Sequence, residues 1–454
     1  MHFLKHLGRY RLSAWIKPGA FQKLNAPNKG MASRTESLIA LAHAAALAAA
    51  EHQQRFAAED MEARKIVEIL ERFLRLTGRV VYGGAAINAH MPTEHKFYDP
   101  ALNLPDYDFM TPDPLQDCAD LLSIFIDEGF TDVEAKFGIH EGTYKIFVNY
   151  RPAADITFIP SDVYERLTTD ADIIDGILFA SVNFLRMNIY LELSRPAGMV
   201  SRWEKVYERL LLLNRFHPLR PGHCTAHPLE ALGASKGRKS VDAKRLISLG
   251  VEAGAIFLSG ASMLVGTEPS PNEIVLLMSE HASALANICA HECGLTPTVF
   301  DALGELLPAR TELRLDDELR AVVFQTVACH NFVELKDGYR LGSLDLLIQM
   351  YYAMYFANLQ EYVSVRLLCV IHELIELEAA RRLEAAETGD VIDVFPLECA
   401  GHQPSIPELK KAHRERIIEK RGEFAAAIQP ASGFRVTRRH HHESTRKTRK
   451  VLKN

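Results

Sequence analysis

The stretch that most constrains this 454-residue chain runs from Arg79 to Pro160. Val80-Val81-Tyr82 is a short apolar run that breaks at Gly83-Gly84 and resumes as Ala85-Ala86-Ile87, which predicts a strand, a tight turn and the start of a helix. Asp106-Tyr107-Asp108 then sits on a second strand. Leu115 to Glu128 follows with a helical stripe of Leu121, Leu122, Phe125 and Ile126. Tyr144 to Tyr150 alternates apolar and polar residues, turns at Arg151-Pro152 and resumes from Ala153 to Ile159, the pattern of a β-hairpin.

Successive side chains on a strand point to opposite faces, so Asp106 and Asp108 share one face and Tyr107 takes the other. Adjacent carboxylates repel, and a divalent cation between them removes the penalty. With Asp155 on a neighbouring strand facing the same way, three carboxylates make an all-oxygen site of the kind Mg²⁺ prefers. Such a site can hold two ions roughly 4 Å apart, one activating an attacking hydroxyl and one neutralising a leaving pyrophosphate. Gly83 and Gly84, lacking Cβ atoms, let the amides of the following helix approach a triphosphate. Asp170-Ala171-Asp172 repeats the D-x-D spacing but reads as turn or helix-start residues. The order of elements therefore carries more weight than the tripeptide.

That order resembles the nucleotidyltransferase superfamily. Narrower motifs, Tyr82 to Asn88, Phe97-Tyr98-Asp99, Leu104 to Phe109, Gly142 to Asn149 and Ala154 to Thr157, are similar to the catalytic subunits of the poly(A) polymerases of large cytoplasmic DNA viruses, the giant-virus type in particular. The likeness continues through Leu185-Arg186-Met187, Leu191 to Pro196, Arg202 to Tyr207 and Phe395 to Cys399. It implies an α+β nucleotidyltransferase fold, a mixed sheet flanked by helices, and template-independent addition of AMP from ATP to an RNA 3′ end. Asp106, Asp108 and Asp155 would be the catalytic acids and would bind two Mg²⁺ or Mn²⁺ ions. Tyr82, Gly83, Gly84 and Lys145 would contact ATP. Ala85 departs from the family, in which Ser or Thr often supplies a hydroxyl to a phosphate. The resemblance further implies the host cytoplasm (a viral factory) or the virion, and a homodimer on the giant-virus side. Poxvirus-type relatives instead work with a methyltransferase-like processivity partner. Two rival readings stand beside it: a nucleotidyltransferase with another acceptor or nucleotide, and a catalytically silent RNA-binding or assembly subunit.

Composition narrows the field. No apolar run reaches the roughly 18 to 20 residues of a membrane span, and Leu38 to Ala50 is alanine-rich and interrupted by His43. Seven cysteines, odd in number and scattered, argue against a disulfide framework and for a reducing compartment. Cys289, His291 and Cys293 could suggest zinc, although a helix simply puts the two cysteines on one face. The net charge of −6 is unusual for a protein that binds nucleic acid. Met1 to Gly30 has six basic residues and no acid, and Pro430 to Asn454 has eight against Glu443 alone, so the body between them is more acidic still. RNA contact must then come from a local groove, the tails or a partner.

Along the chain we expect a disordered basic arm (1–31), a catalytic domain with leading and trailing helices (32–217), a linker (218–240), a second domain (241–428) and a basic disordered tail (429–454). Ser33 or Thr35 would cap the first helices and Gly78 would stop them. Arg186, Arg195, Arg202 and Lys205 are candidates for triphosphate or RNA contact, weighed against solvated or salt-bridged helix residues. Beyond the linker the first module recurs: Ala255 to Gly260 matches the strand and glycine turn, Asn272 to Leu277 the D-x-D strand, His281 to Glu292 the helix and Leu319 to Ala328 the last strand. Asn272 and Ile274 stand in place of Asp106 and Asp108, so this copy is degenerate and serves packing, RNA binding or self-association. The aromatic and Met cluster of Met350 to Phe356 reads as a core seam, with base stacking as the alternative.

Overall fold

The computed structural model describes residues 38–50, 52, 60–98, 105–233, 243–270, 272–335 and 338–427. The basic arm, Ser33, Thr35, Asp99, the end of the expected linker and the basic tail lie outside the described residues. Residues 38–50 are helical, and their compact unit is distinct from the one built by residues 62–98 and 105 onward.

In the larger unit the helix α1 (Met61–Thr77) buries Ile66, Ile69, Leu70, Phe73 and Leu74, a stripe at helical spacing. It ends where the Gly78 N–H takes the Leu74 carbonyl at 3.0 Å. Then come β1 (Val80–Tyr82), α2 (Gly83–His90), β2 (Tyr107–Thr111), α3 (Pro114–Asp127), β3 (Val133–Phe137), β4 (Thr143–Val148), β5 (Arg151–Phe158), α4 (Ser161–Asp170), β6 (Asp172–Ile174), β7 (Ile177–Phe179), α5 (Val182–Leu193) and α6 (Trp203–Phe216). The strands form one mixed sheet in the order β3-β4-β5-β2-β1-β7-β6. Helix α3 starts at Pro114, with the Asp113 carboxylate accepting from the Gln116 N–H at 3.2 Å, an N-cap the expected stripe did not include. Leu121, Leu122 and Phe125 are buried as the stripe required. The β4–β5 turn lies at Asn149-Tyr150, both left-handed, rather than at Arg151-Pro152, which already begin β5.

Residues 218–233 carry the short helix α7 (Pro228–Gly233), whose Leu229 and Leu232 are buried in the core. A second mixed sheet follows, built from α8 (Ala243–Glu252), β8 (Ile256–Phe257), β9 (Val275–Ser279), α9 (Ala282–Cys293), β10 (Thr296–Phe300), β11 (Arg310–Leu315), β12 (Glu318–Gln325), β13 (His330–Glu334) and β14 (Arg340–Gly342). Helices α10 (Leu344–Phe356) and α11 (Leu367–Thr388), the strand β15 (Cys399–Ala400) and α12 (Ile406–Ala427) close the described chain. The second order is β10-β11-β12-β9-β8-β14-β13-β15.

Strand for strand this repeats the first sheet. β8 and β9 are antiparallel like β1 and β2, β9 and β12 parallel like β2 and β5, and β8 and β14 parallel like β1 and β7. Even the hairpin turns agree, with φ of 47° and 66° at Asn149-Tyr150 and again at Asp316-Asp317. The register moves the expected equivalence by one residue. Phe257 pairs with Leu277, and the Leu258 N–H donates to the Leu276 carbonyl, which sets Ser259 opposite Val275 as Tyr82 is opposite Asp108. Matching the left-handed glycines Gly83 and Gly260 then puts Glu273, not Asn272, at the place of Asp106, and Val275, not Ile274, at that of Asp108.

Met350, Tyr351, Tyr352, Met354 and Phe356 are all buried in α10, so the core reading prevails over base stacking. The cysteine expectation is corrected: Cys224–Cys369 and Cys329–Cys399 are disulfide-bonded across 145 and 70 residues, separations at which spacing gives no hint of pairing. Cys289 is buried in α9 whereas the His291 side chain is 87% exposed, so these two do not converge on one metal.

Candidate active site

The first sheet sets four side chains in one row. β4 pairs Lys145 with Asp155, β5 pairs Asp155 with Asp108, and β2 pairs Asp108 with Tyr82. Directly paired residues on neighbouring strands project to the same face. Tyr107 is on the opposite, core-facing side, its hydroxyl donating to Glu71 Oε1 at 2.8 Å. Asp106, immediately before β2, is near enough to repel Asp108.

The carboxylates act on one another. Burial lifts Asp108 to a pKa of about 7, the repulsion of Asp106 and Asp155 adds to it, and Lys145 and Arg202 oppose it. Asp106 is raised by burial and by Asp155, with Lys145 again opposing. Tyr82 is raised by burial and by Asp108, and its hydroxyl meets Thr157 Oγ1 at 3.0 Å. Lys145 is ion-paired with Asp155.

Gly83 has φ of 70°, and a Cβ there would fall 2.8 Å from Asp108 Oδ2. A Cβ on Gly84 would fall 2.7 Å from the Tyr98 hydroxyl, which receives a hydrogen bond from Arg209 at 3.0 Å. Only glycine meets both the backbone and the space at Gly83. No side chain caps the start of α2 and no acid lies in its first turn, so its first amides are open to an anion. Ala85 is buried and brings no hydroxyl there.

Of the arginines singled out, Arg186 is consumed by structure: it is 1% exposed and donates to Asn214 at 2.8 Å, Asn183 at 2.9 Å and the Leu213 carbonyl at 3.2 Å, as well as to the His217 carbonyl. Arg202, paired with Glu192 at 3.1 Å, lends its charge to Asp108. Arg195 is held below its usual pKa by burial, against the pull of Glu305 and Glu192, and its Nε has no partner among the described residues. Lys205 is exposed on α6. Arg209 went unremarked in the sequence. It lies seven residues beyond Arg202 on α6, stacks its guanidinium 4.6 Å from the Phe97 ring and closes the space over Gly84. Asp170-Ala171-Asp172 joins the end of α4 to β6, away from this row.

Among the described residues no three carboxylate, imidazole or thiol groups form a ready metal cage. In chemistry the donor set nevertheless suits a hard cation, since three carboxylates crowd one face and two of them have raised proton affinity.

Residues 68–199 match the model of a family described as the poly(A) polymerase catalytic subunit. A protein of Acanthamoeba polyphaga mimivirus, provisionally named poly(A) polymerase catalytic subunit, is 34% identical over 35% of this chain and 27% of its own length. A counterpart of the same provisional name from African swine fever virus (isolate Pig/Kenya/KEN-50/1950) is 22% identical over 37% and 36%. The chain thus spans between a quarter and two fifths of the curated relatives it matches. The crystal structure of the Megavirus polyadenylate synthase superposes with a TM-score of 0.66 at 19% identity, covering 90% of this chain and 86% of that one. The fold shared with that structure therefore extends through both sheets, whereas the family sequence match ends at residue 199, between α5 and α6.

Proposed function

We propose that the chain adds AMP from ATP to RNA 3′ ends without a template. The observation that carries this is the row Lys145, Asp155, Asp108 and Tyr82 beside the Gly83 turn, inside the span that matches the family. In the reaction the RNA 3′-hydroxyl oxygen bonds to the α-phosphorus of ATP, the bond to the bridging oxygen of the β-phosphate breaks, and pyrophosphate leaves with the electron pair. Asp106, Asp108 and Asp155 would hold two Mg²⁺ or Mn²⁺ ions, which supply charge for the hydroxyl and for the leaving group. Asp155 would lie nearest the 3′-hydroxyl and take up its proton as the new bond to phosphorus forms. Gly83 and Gly84 present amides to the triphosphate, with Tyr82 beneath it and Lys145 released from Asp155 to meet a phosphate oxygen. Arg202 adds positive potential on the same side.

The silent-subunit reading rests on the Lys145–Asp155 pair, which ties up one of the three acids. Incubation with an oligo(A) primer, Mg²⁺ or Mn²⁺ and each nucleoside triphosphate in turn decides among the readings. Extension with ATP supports adenylyl transfer, extension with another nucleotide moves the specificity, and extension with none by a folded sample leaves the silent subunit. We further propose a homodimer, and action on viral mRNA in the host cytoplasm or virion. Sedimentation of the purified chain tests the first, and fractionation of infected cells the last.

A further inference from the structure

Helix α12 is sewn to the edge of the catalytic sheet. His413 Nε2 meets the Phe137 carbonyl at 3.0 Å, Arg416 donates to the Ile139 carbonyl at 2.6 Å, and Lys420 pairs with Glu141 at 3.7 Å. Phe424 is buried against the rings of Phe137 at 4.5 Å and Tyr144 at 5.6 Å. Tyr144 is the neighbour of Lys145 on β4, so one face of this helix is fixed to the strand that flanks the carboxylates.

Its other faces are sorted by charge. Lys410, Arg414 and Arg421, spaced by four and seven residues, lie on one stripe; all three are exposed, and none has an acidic partner among the described residues. Glu408, Glu415, Glu419 and Glu423, spaced by seven, four and four, lie on another. The i, i+4 pair Lys411–Glu415 at 4.0 Å lies off the cationic stripe. Segregated cations about 1.5 Å of rise per residue apart span roughly 16 Å, the reach of a few nucleotides. The chain that follows the helix stays cationic in sequence, with eight basic residues and one acid from Pro430 to Asn454.

We infer that Lys410, Arg414 and Arg421 form a phosphate track for single-stranded RNA running to the catalytic row. The inference rests on the adenylyltransferase reading for its substrate class, but its test needs no catalysis. Binding of labelled oligo(A) to the full chain is measured against salt for the wild type and for the triple variant Lys410→Ala, Arg414→Ala, Arg421→Ala. Loss of three contacts to a single strand lowers the slope of log affinity against log salt by about two, so the wild type loses about sixteenfold more affinity than the variant from about 0.05 to 0.2 M salt. With primer saturating, the variant keeps the wild-type maximal rate and shows a raised KM for primer. An unchanged slope overturns the track, as does competition by polyglutamate but not by oligo(A), which would point to an acidic protein instead. A wild type that binds no oligo(A) overturns the functional reading along with it. Charge reversal of Glu415 and Glu419 to Lys, on the opposite stripe, leaves the primer KM within about twofold if the path is the one proposed.

Discussion

Asp108 shows what one residue contributes when function and stability pull apart. Its carboxyl titrates near pH 7 in the fold, against about 3.9 in an unfolded chain. Below about pH 4 both states carry the proton and nothing is lost; between there and pH 7 the folded state binds more protons, so stability falls as pH rises, and above it the whole penalty is present. If the proposed adenylyl transfer holds, Asp108→Asn abolishes AMP incorporation; by removing the charge it should stabilise the metal-free protein at about pH 8 by on the order of 2–4 kcal/mol. Denaturant midpoints at about pH 4.5 and pH 8 should show this gap widening with pH, and Mg²⁺ should narrow it; a variant no more stable than wild type at the higher pH would mean the carboxylates do not crowd one another. Asp106→Ala is expected to abolish the proposed incorporation and, because Asp106 is also raised by burial and by Asp155, to leave the metal-free protein no less stable at about pH 8. Gly83→Ala acts through the backbone as well as the space: the left-handed φ alone costs about 1–2 kcal/mol, and the displaced Asp108 oxygen takes activity with it, both readable from a melt and a primer assay on one sample.

At the scale of elements, the fold was legible where local pattern and burial agree. The strand, glycine turn and helix around Gly83 and the buried stripe of Leu121, Leu122 and Phe125 on α3 follow from periodicity and are found in place. The repeat was legible too, but its register was not: alternation fixes which residues share a face only once a pairing partner is known, and the shift to Glu273 depends on the Phe257–Leu277 pair. Glu273 now explains itself as a substitute anion. One oxygen accepts from the Gly260 N–H at 3.0 Å, the other has no partner among the described residues, and burial lifts its pKa to about 7. The same turn that would face a phosphate in the first sheet is filled by the protein's own acid in the second. A second buried charge cluster was equally invisible in sequence: Arg382 on α11 bridges Asp345 at 2.7 Å and Glu378, under the Phe395 ring at 3.9 Å. Arg382→Met leaves two buried acids facing each other without a cation and should cost about 3–5 kcal/mol at neutral pH, whereas the same change combined with Asp345→Leu and Glu378→Leu should recover most of it.

At the scale of the molecule, two disulfides tie stretches far apart in sequence, one of them within the second half and one between it and the segment before it. Cys224–Cys369 fastens the segment after the first module to α11, and Cys329–Cys399 fastens β15, six residues ahead of α12, to the chain entering β13. Seven scattered cysteines gave no sign of this, because pairing over such distances is set by the tertiary fold alone. Alkylation of the denatured, unreduced protein should label three thiols, Cys118, Cys289 and Cys293, and reduction should raise the count to seven. Each bond closes a loop long enough to stabilise by about 2–5 kcal/mol through the unfolded chain. Reduction should therefore lower the melting temperature of the whole unit. Cys329→Ser with Cys399→Ser isolates the bond nearest α12, and because that helix grips the β3–β4 hairpin, its loosening should raise the KM for primer more than the KM for ATP. Seven reactive thiols without reduction, and kinetics indifferent to the double variant, would instead mean that packing of Phe424 against Tyr144 holds the helix unaided.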